Sequence, residues 1–135
     1  MNLWTALCAP FNADFDFLTI TDTARDIVTN PPFNLADKFI SHALKLTEPN
    51  GGKVAMLLPC TFDTAKSRRY LFWGPPFKIK YTITKRIRWE NLVQKKNGPS
   101  SNHAWYVWDW NYAGRPMLGY LPEEGAVSLI ALGSV

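Results

Sequence analysis

Hydrophobic and polar positions divide the first part of the chain into two short apolar segments. Apolar and polar residues alternate from Phe15 to Ile20, which predicts a short strand. A second short strand is predicted over Asp26–Thr29. Pro31 and Pro32 follow it, and because proline cannot donate to a sheet ladder, this strand has to end there.

The next part of the chain changes from a period of two to the period of a helix. Apolar residues recur at helical spacing from Leu35 to Thr47, and Asn34 is the expected N-cap. Residues 48–52 read Glu-Pro-Asn-Gly-Gly, which predicts a helix stop and a turn. The continuous apolar run of residues 54–58 is typical of a strand that is buried on both faces of a parallel sheet.

The last part predicts a short helix and two strands. Residues 64–72 are the helix, and residues 79–83 alternate apolar with polar side chains as in a half-exposed strand. Residues 103–110 predict an aromatic strand, and residues 91–102 predict the loop that joins the two strands into an antiparallel hairpin. The order of elements predicts a single α/β domain over residues 1–135, with parallel strands, helical crossovers and an antiparallel hairpin at its edge.

Composition narrows the class of protein. The chain has 135 residues, 47% of them hydrophobic, which is typical of one globular domain. It has no run of about 18 apolar residues, so a membrane span is not expected. Two cysteines, Cys8 and Cys60, form no metal-binding or disulfide framework, and a reducing cytoplasmic setting is expected.

Charge is distributed unevenly. Residues 1–65 carry a net charge of −3 and residues 66–135 a net charge of +7, and five of the six tryptophans lie in the second part. This asymmetry indicates a polyanion, with DNA as the expected partner, and Lys95 and Lys96 are candidate phosphate contacts. The alternative is an ordinary solvated surface and hairpin tip.

The most informative residues are Asn30-Pro31-Pro32-Phe33, directly after a predicted strand. The side-chain carbonyl of Asn30 and the main-chain carbonyl of Pro31 can accept two hydrogen bonds from one exocyclic amine. Phe33 offers a flat face for stacking a planar base. Such a site would position an amine for attack on an electrophile. The alternative is a bare Pro-Pro turn with Phe33 in the core.

This tetrapeptide resembles the Asn-Pro-Pro-aromatic motif of class I S-adenosylmethionine-dependent DNA adenine-N6 methyltransferases of the phage or prophage type. The resemblance spans roughly residues 13–122 and implies a Rossmann-like sheet ending in a hairpin. It implies that Asn30, Pro31, Pro32 and Phe33 form the catalytic pocket for the target amine. It also implies that Asp16 lies near the adenine of S-adenosylmethionine.

The chain departs from that family in its glycines. The family has a glycine-rich turn that lets the backbone approach the cofactor closely, whereas no glycine precedes Gly51 here. The sequence therefore predicts a shortened methyltransferase-like domain that lacks the cofactor motif. We also expect an uncovered side of the 26–29 strand, and a homodimer or partner chain that covers it.

Two other functions remain open. One is a non-catalytic nucleic-acid-binding or assembly protein with a methyltransferase-derived fold, which the missing glycines favour. The other is an amino-methyltransferase that acts on RNA or protein, because the same tetrapeptide occurs in those relatives.

Overall fold

The computed structural model describes residues 4–6, 16–87 and 102–121. Six strands and two α-helices are formed in this part of the chain. In chain order they are β1 (Trp4–Ala6), β2 (Asp26–Thr29), α1 (Ala36–Thr47), β3 (Lys53–Pro59), α2 (Arg69–Phe72), β4 (Phe77–Ile83), β5 (His103–Asp109) and β6 (Met117–Leu121).

The strands form one mixed sheet in the order β1-β2-β3-β5-β4-β6. β1, β2 and β3 are mutually parallel, and β5 runs antiparallel to both of its neighbours, β3 and β4. β6 is parallel to β4. The chain is therefore a mixed α/β protein, as the sequence predicts.

The antiparallel strand lies inside the sheet, so the expectation of an antiparallel edge is wrong. The connection from β3 to β4 skips one position, and β5 returns into that gap. The side chains of β5 explain this position. Tyr106 and Trp108 are fully buried toward one face, and Val107 is buried toward the other, which suits an inner strand.

The main hydrophobic core lies on the face of the sheet that carries both helices. The inward side of α1 contributes Ile40, Ala43 and Leu46, and α2 contributes Leu71 and Phe72. These pack against alternate residues of β2, β3 and β5. A second, smaller cluster on the opposite face contains Ala55, Leu57, Ile79, Ile83, Val107 and Leu121.

A β-bulge early in β4 divides that strand between the two clusters. The register with β5 shifts between Phe77 and Ile79, so Phe77 faces the helices and Ile79 faces the opposite side. Lys80 consequently points toward the helical face, where it contacts Asp63. The predicted half-exposed strand is present, but its two lysines, Lys78 and Lys80, form ion pairs with Asp109 and Asp63 rather than being free in solvent.

The start of α1 differs from the expectation. A one-turn 3-10 helix, Phe33–Leu35, leads straight into α1, and the amide of Leu35 donates to the carbonyl of Pro32 at 3.0 Å. Asn34 is therefore inside a helical turn and does not cap α1. Leu35 is the N-cap residue and makes no side-chain hydrogen bond there.

The predicted strand at Phe15–Ile20 is also wrong in its described part. Phe17–Thr19 forms a one-turn 3-10 helix, because the carboxylate of Asp16 accepts from the amide of Leu18 at 2.9 Å and closes a turn. The predicted helix at 64–72 is α-helical only in α2. Two one-turn 3-10 helices, Phe62–Thr64 and Lys66–Arg68, precede it.

Two strands were not predicted from the sequence. The first, β1, pairs with β2 through Trp4, Thr5 and Ala6, so β2 is not an edge strand and its expected uncovered side is paired. The homodimer stays a prediction, but an uncovered side of β2 no longer supports it. The second, β6, forms the opposite edge of the described sheet. Within the described residues, no helix has the length and apolar character that would let it cross a membrane.

Candidate functional site

The Asn30-Pro31-Pro32-Phe33 turn leaves the sheet at the carboxyl end of β2. Thr29 is the last residue of that strand and pairs with Met56 of the parallel strand β3. Ligand sites of open α/β sheets lie at this end of the strands. The structure thus brings the four predicted residues to the edge where a ligand crevice is expected.

Burial divides these four residues by role. Pro31 is buried and Pro32 is half-buried, so the rings anchor the turn against the protein. Asn30 is exposed, and Phe33 is 48% exposed. The polar group and the aromatic face therefore remain accessible on a rigid turn, and the alternative that buries Phe33 in the core is wrong.

His103 supports the ring of Phe33. The two ring centroids are 5.9 Å apart and their planes make an angle of 34°. His103 is 3% exposed and is the first residue of β5, where it pairs in register with Pro59. Phe33 thus has one face against the protein and retains exposed area for a planar ligand.

The turn after β3 lies at the same edge and is held by side chains from other strands. The hydroxyl of Tyr106 donates to the carbonyls of Pro59 and Cys60, at 2.8 and 3.1 Å. The ammonium group of Lys80 donates to the same Cys60 carbonyl at 2.6 Å. The amide of Cys60 donates to the carbonyl of Asn102 at 3.0 Å, which completes the attachment of this turn to β5.

Asp63 balances the charge of this cluster. Its carboxylate oxygens lie 3.1 and 3.2 Å from the Lys80 nitrogen, and one of them lies 3.5 Å from the Tyr106 hydroxyl. The side chains of Lys80 and Asp63 are 17% and 28% exposed. The ion pair is therefore partly shielded from water and fixes the two side chains relative to the Cys60 carbonyl.

Burial changes the acidity of two groups here. Loss of solvent raises the pKa of the Cys60 thiol, and although the Lys80 charge opposes this shift, the net direction is upward. Burial, with smaller contributions from Asp63 and Cys60, raises the pKa of the Tyr106 hydroxyl far above its ordinary value. Both groups stay protonated at neutral pH, which disfavours Cys60 as a nucleophile.

A second ion pair joins the two turns through α1. The guanidinium of Arg68 donates to the Asp37 carboxylate at 3.0 Å and to the Phe62 carbonyl at 3.1 Å. Its carbon lies 3.9 Å from the centroid of the Phe62 ring. Asp37 is in the first turn of α1, directly after the Phe33 segment, so this contact ties the segment after β3 to the segment after β2.

Asp16, the predicted cofactor contact, lies on a different part of the fold. Its carboxylate caps the turn at Phe17, whose ring stacks on Phe39 of α1 with centroids 5.0 Å apart. His42 extends the same packing, with its ring edge on Phe17 and its Nε2 2.8 Å from the carbonyl of Ile20. Local capping is sufficient to account for Asp16, and its role toward a cofactor stays a prediction.

Lys95 and Lys96, the predicted phosphate contacts, lie outside the described residues. The sequence did not identify His103 as the residue that packs against Phe33, or Lys80 and Tyr106 as the side chains that hold the turn after β3. The signal is weak in each case, since a histidine at the start of a strand and a lysine in an alternating strand are common. Their partners become neighbours only through the pairing of β5 between β3 and β4.

The described residues do not fit the cofactor that the resemblance implies. A cradle for S-adenosylmethionine requires glycine backbone that approaches a ligand. A Cβ at Gly52 would lie 1.4 Å from the carbonyl oxygen of Arg25, so this glycine allows close packing between two segments of the chain. Gly51, Gly114 and Gly119 likewise adjoin side chains of the protein itself, and Gly74, which has open space around it, precedes the amino end of β4 and not the carboxyl end of β2 or β3.

Metal chemistry also has no residues to support it in the described ranges, where no group of three or more His, Cys, Asp or Glu side chains could hold an ion. No model of a known protein family matches the chain, and no curated protein matches it in sequence.

Proposed function

We propose that this chain carries the target-amine side of a DNA adenine-N6 methyltransferase-like domain. The observation that carries the proposal is the placement of Asn30-Pro31-Pro32-Phe33 at the carboxyl end of a parallel strand, with Asn30 and Phe33 exposed and Pro31 buried. A rigid acceptor beside an accessible aromatic face suits a planar base that bears an amine.

The arrangement of strands agrees with the Rossmann-like fold that the resemblance implies. Helical crossovers join β2 to β3 and β3 to β4, and these three strands run in one direction. The family's sheet ends in a hairpin of its last two strands, and β4 and β5 form a hairpin here. This is support for the fold more than for an activity.

In the proposed site, the exocyclic amine of adenine donates one hydrogen bond to the Asn30 side-chain carbonyl and one to the Pro31 carbonyl. Phe33 stacks against the base, and His103 prevents its ring from turning away. The contribution of these residues is positioning of the amine nitrogen. A duplex base has to leave the stack to reach such a site. The described residues do not fit S-adenosylmethionine, so the role of these four residues is limited to holding the amine.

The proposal is tested without the methyl donor by comparing two ligands. An oligonucleotide containing a single adenine is titrated against the same strand with purine, which lacks the 6-amino group, at that position. We expect the wild-type chain to prefer adenine on the order of tenfold, because purine leaves both acceptors unpaired. Asn30→Ala should lose this preference. Asn34→Ala, which also removes an exposed asparagine four residues away, should keep it.

Equal binding of adenine and purine by the wild-type chain would overturn the amine site. A separate titration with S-adenosylmethionine distinguishes an enzyme from a protein that binds nucleic acid without catalysis. Micromolar binding, with methylation of DNA that Asn30→Ala abolishes, would establish activity. No binding at millimolar concentration would exclude an autonomous enzyme.

The alternative function is a nucleic-acid-binding or assembly protein that has this fold and no catalysis. The use of glycines for packing within the chain favours it. Under this alternative, DNA binding persists in Asn30→Ala, and S-adenosylmethionine does not bind. Salt dependence separates a nucleic-acid substrate from a protein substrate, because affinity for a nucleic acid falls steeply as salt rises.

A further inference from the structure

A second surface lies outside the candidate site, on α2 and the residues that flank it. Tyr70 is 66% exposed and Trp73 is 72% exposed, the highest values for large hydrophobic side chains in the described part of the chain. Aromatic rings are costly to leave in water, and exposed ones in close sequence mark a site that binds something. Trp108 of β5 differs, because it is fully buried.

Positive charge accompanies these rings. The guanidinium carbon of Arg69 lies 3.9 Å from the centroid of the Trp73 ring, and both side chains are exposed. Lys66 is exposed one turn earlier. Residues 64–76 contain three basic residues, Lys66, Arg68 and Arg69, and no Asp or Glu. Of these three, Arg68 is bound to Asp37, which leaves the exposed Lys66 and Arg69 for a ligand.

The surface has a rigid base. Leu71 and Phe72 lie between the exposed rings in sequence and are buried in the main core. The indole nitrogen of Trp108 donates to the Leu71 carbonyl at 2.8 Å, and the Phe72 and Trp108 ring centroids are 5.7 Å apart. Because α2 is fixed in this way, the exposed rings lose little additional freedom when they bind.

We propose that Lys66, Arg69, Tyr70 and Trp73 form a binding surface for single-stranded nucleic acid. Exposed rings stack with unpaired bases, and adjacent cations contact phosphates, which is the combination that single-strand binders use. The absence of acidic residues in 64–76 favours this polyanion over a protein partner. The contact between Arg69 and the Trp73 ring holds a positive charge beside that ring.

The surface is connected to the candidate site. The segment between Pro59 and Phe77 crosses from the carboxyl end of β3 to the amino end of β4, and Lys66 is nearer to its start. The Arg68–Asp37 pair joins this segment to the first turn of α1. The choice of nucleic acid as the ligand rests on the proposed function. The unpaired strand on either side of a target base would bind to this second surface, which is distinct from the site at Asn30.

The test uses labelled oligothymidylate, which contains no adenine, and an abasic strand of the same length. Fluorescence anisotropy of the full chain should show binding of oligothymidylate. We expect Trp73→Ala and Tyr70→Ala each to weaken it on the order of tenfold by loss of stacking. The matched control is Tyr120→Ala, which removes a ring that is 65% exposed on β6 and should leave binding unchanged.

Charge is tested separately from stacking. The abasic strand should bind more weakly than oligothymidylate, and Trp73→Ala should not weaken it further. Arg69→Gln should lower the slope of log affinity against log salt by about 0.7, the value for one phosphate of a single strand. Arg115→Gln, an exposed arginine before β6, should leave the slope unchanged. Thermal unfolding of each variant establishes that it is folded.

Three results would overturn the inference. Equal affinity of the wild-type chain for oligothymidylate and the abasic strand would mean that charge, and not base stacking, accounts for the binding. Equal behaviour of Trp73→Ala and Tyr120→Ala would exclude stacking at this surface. The surface would instead bind a second copy of the chain if the wild type is a dimer, Trp73→Ala dissociates it, and the variant binds the oligonucleotide as tightly as the wild type does. Loss of adenine preference with oligothymidylate binding retained would instead count against the proposed function alone.

Discussion

Two turns leave the same edge of the sheet, after β2 and after β3, and they are held in different ways. The turn after β2 is fixed by its own prolines, and it leaves Asn30 exposed. The turn after β3 is held through its carbonyls by Tyr106 and Lys80, which reach it from β5 and β4. One turn needs no neighbouring side chain to define its backbone, whereas the other depends on two.

This difference distinguishes residues that are available to a ligand from residues that stabilise the fold. Cys60, Asp63, Lys80 and Tyr106 are residue types that occur in active sites, yet their hydrogen bonds and ion pair are made with one another and with the backbone. The exposed amide of Asn30, by contrast, remains available for a ligand. Substitutions after β3 should therefore change stability, and substitutions after β2 should change binding.

The largest effect is expected for Lys80→Met. The substitution leaves the Asp63 carboxylate without its cation and removes a donor from the Cys60 carbonyl. We expect a loss of about 2 kcal/mol in the free energy of unfolding, measured with urea. Lys85→Met, an exposed lysine just after β4, is the control and should change it by less than about 0.5 kcal/mol. Equal losses in both variants would remove the distinction between the turns.

A smaller effect is expected for Tyr106→Phe, which removes the hydroxyl while keeping the ring. At neutral pH the loss should be about 1 kcal/mol, since Lys80 still donates to the Cys60 carbonyl. Tyr120→Phe, on the exposed edge, should have no effect.

The same hydroxyl predicts a dependence on pH. The pKa of Tyr106 is raised in the folded state, so its contribution to stability is complete below the unfolded pKa of about 10 and is lost as pH rises above it. Between pH 10 and 11 the wild-type chain should therefore lose stability more steeply than Tyr106→Phe. Parallel curves for the two proteins would contradict the raised pKa.

The next effect concerns the reactivity of Cys60. Because burial raises the pKa of its thiol, alkylation at pH 8 should be severalfold slower in the folded chain than in urea. Lys80→Met removes the charge that opposes this shift, so it should raise the pKa of Cys60 and slow the reaction further. Mass spectrometry of the modified peptide, in a Cys8→Ser background, measures the rate. A folded rate equal to the rate in urea would show that the thiol is accessible and unperturbed.

The smallest effect on stability is expected for Asn30→Ala. The side chain is exposed on a turn that the prolines define, so the free energy of unfolding should change by less than about 0.5 kcal/mol. The same variant is expected to lose its preference for adenine over purine. A loss of stability above about 1 kcal/mol would mean that Asn30 supports the turn in the way that Lys80 does.

Much of the fold follows from patterns that are local in sequence. The strand over Asp26–Thr29 and the apolar strand β3 are confirmed, as are the helix that ends at Thr47 and the hairpin of β4 and β5. The helix and β4 have a regular hydrophobic period and β3 is a continuous apolar run, and a proline or glycine lies at the end of the 26–29 strand, of the helix and of β3. The strand predicted over 15–20 had alternation as well, but in its described part the Asp16 carboxylate accepts a hydrogen bond from the amide of Leu18, which closes a turn there.

The position of β5 could not be read from periodicity. Local sequence predicts that β4 and β5 pair, but it does not indicate that β3 pairs with the other side of β5. The choice depends on which strand buries Tyr106 and Trp108 best, and that involves residues far apart in the chain. β1 and β6 were not predicted for a related reason. Short edge strands are stabilised by the strands they pair with more than by their own hydrophobic pattern.

The sequence by itself determined the rigid Asn30–Phe33 turn, because two prolines restrict their own backbone and that of the residue before them. It also determined the excess of positive charge beyond residue 65. Only the tertiary structure decided that His103 supports Phe33 and that Lys80 is bound to Asp63. It likewise left Trp73 exposed and Trp108 buried. These outcomes depend on long-range strand pairing, which brings together side chains that no local spacing connects.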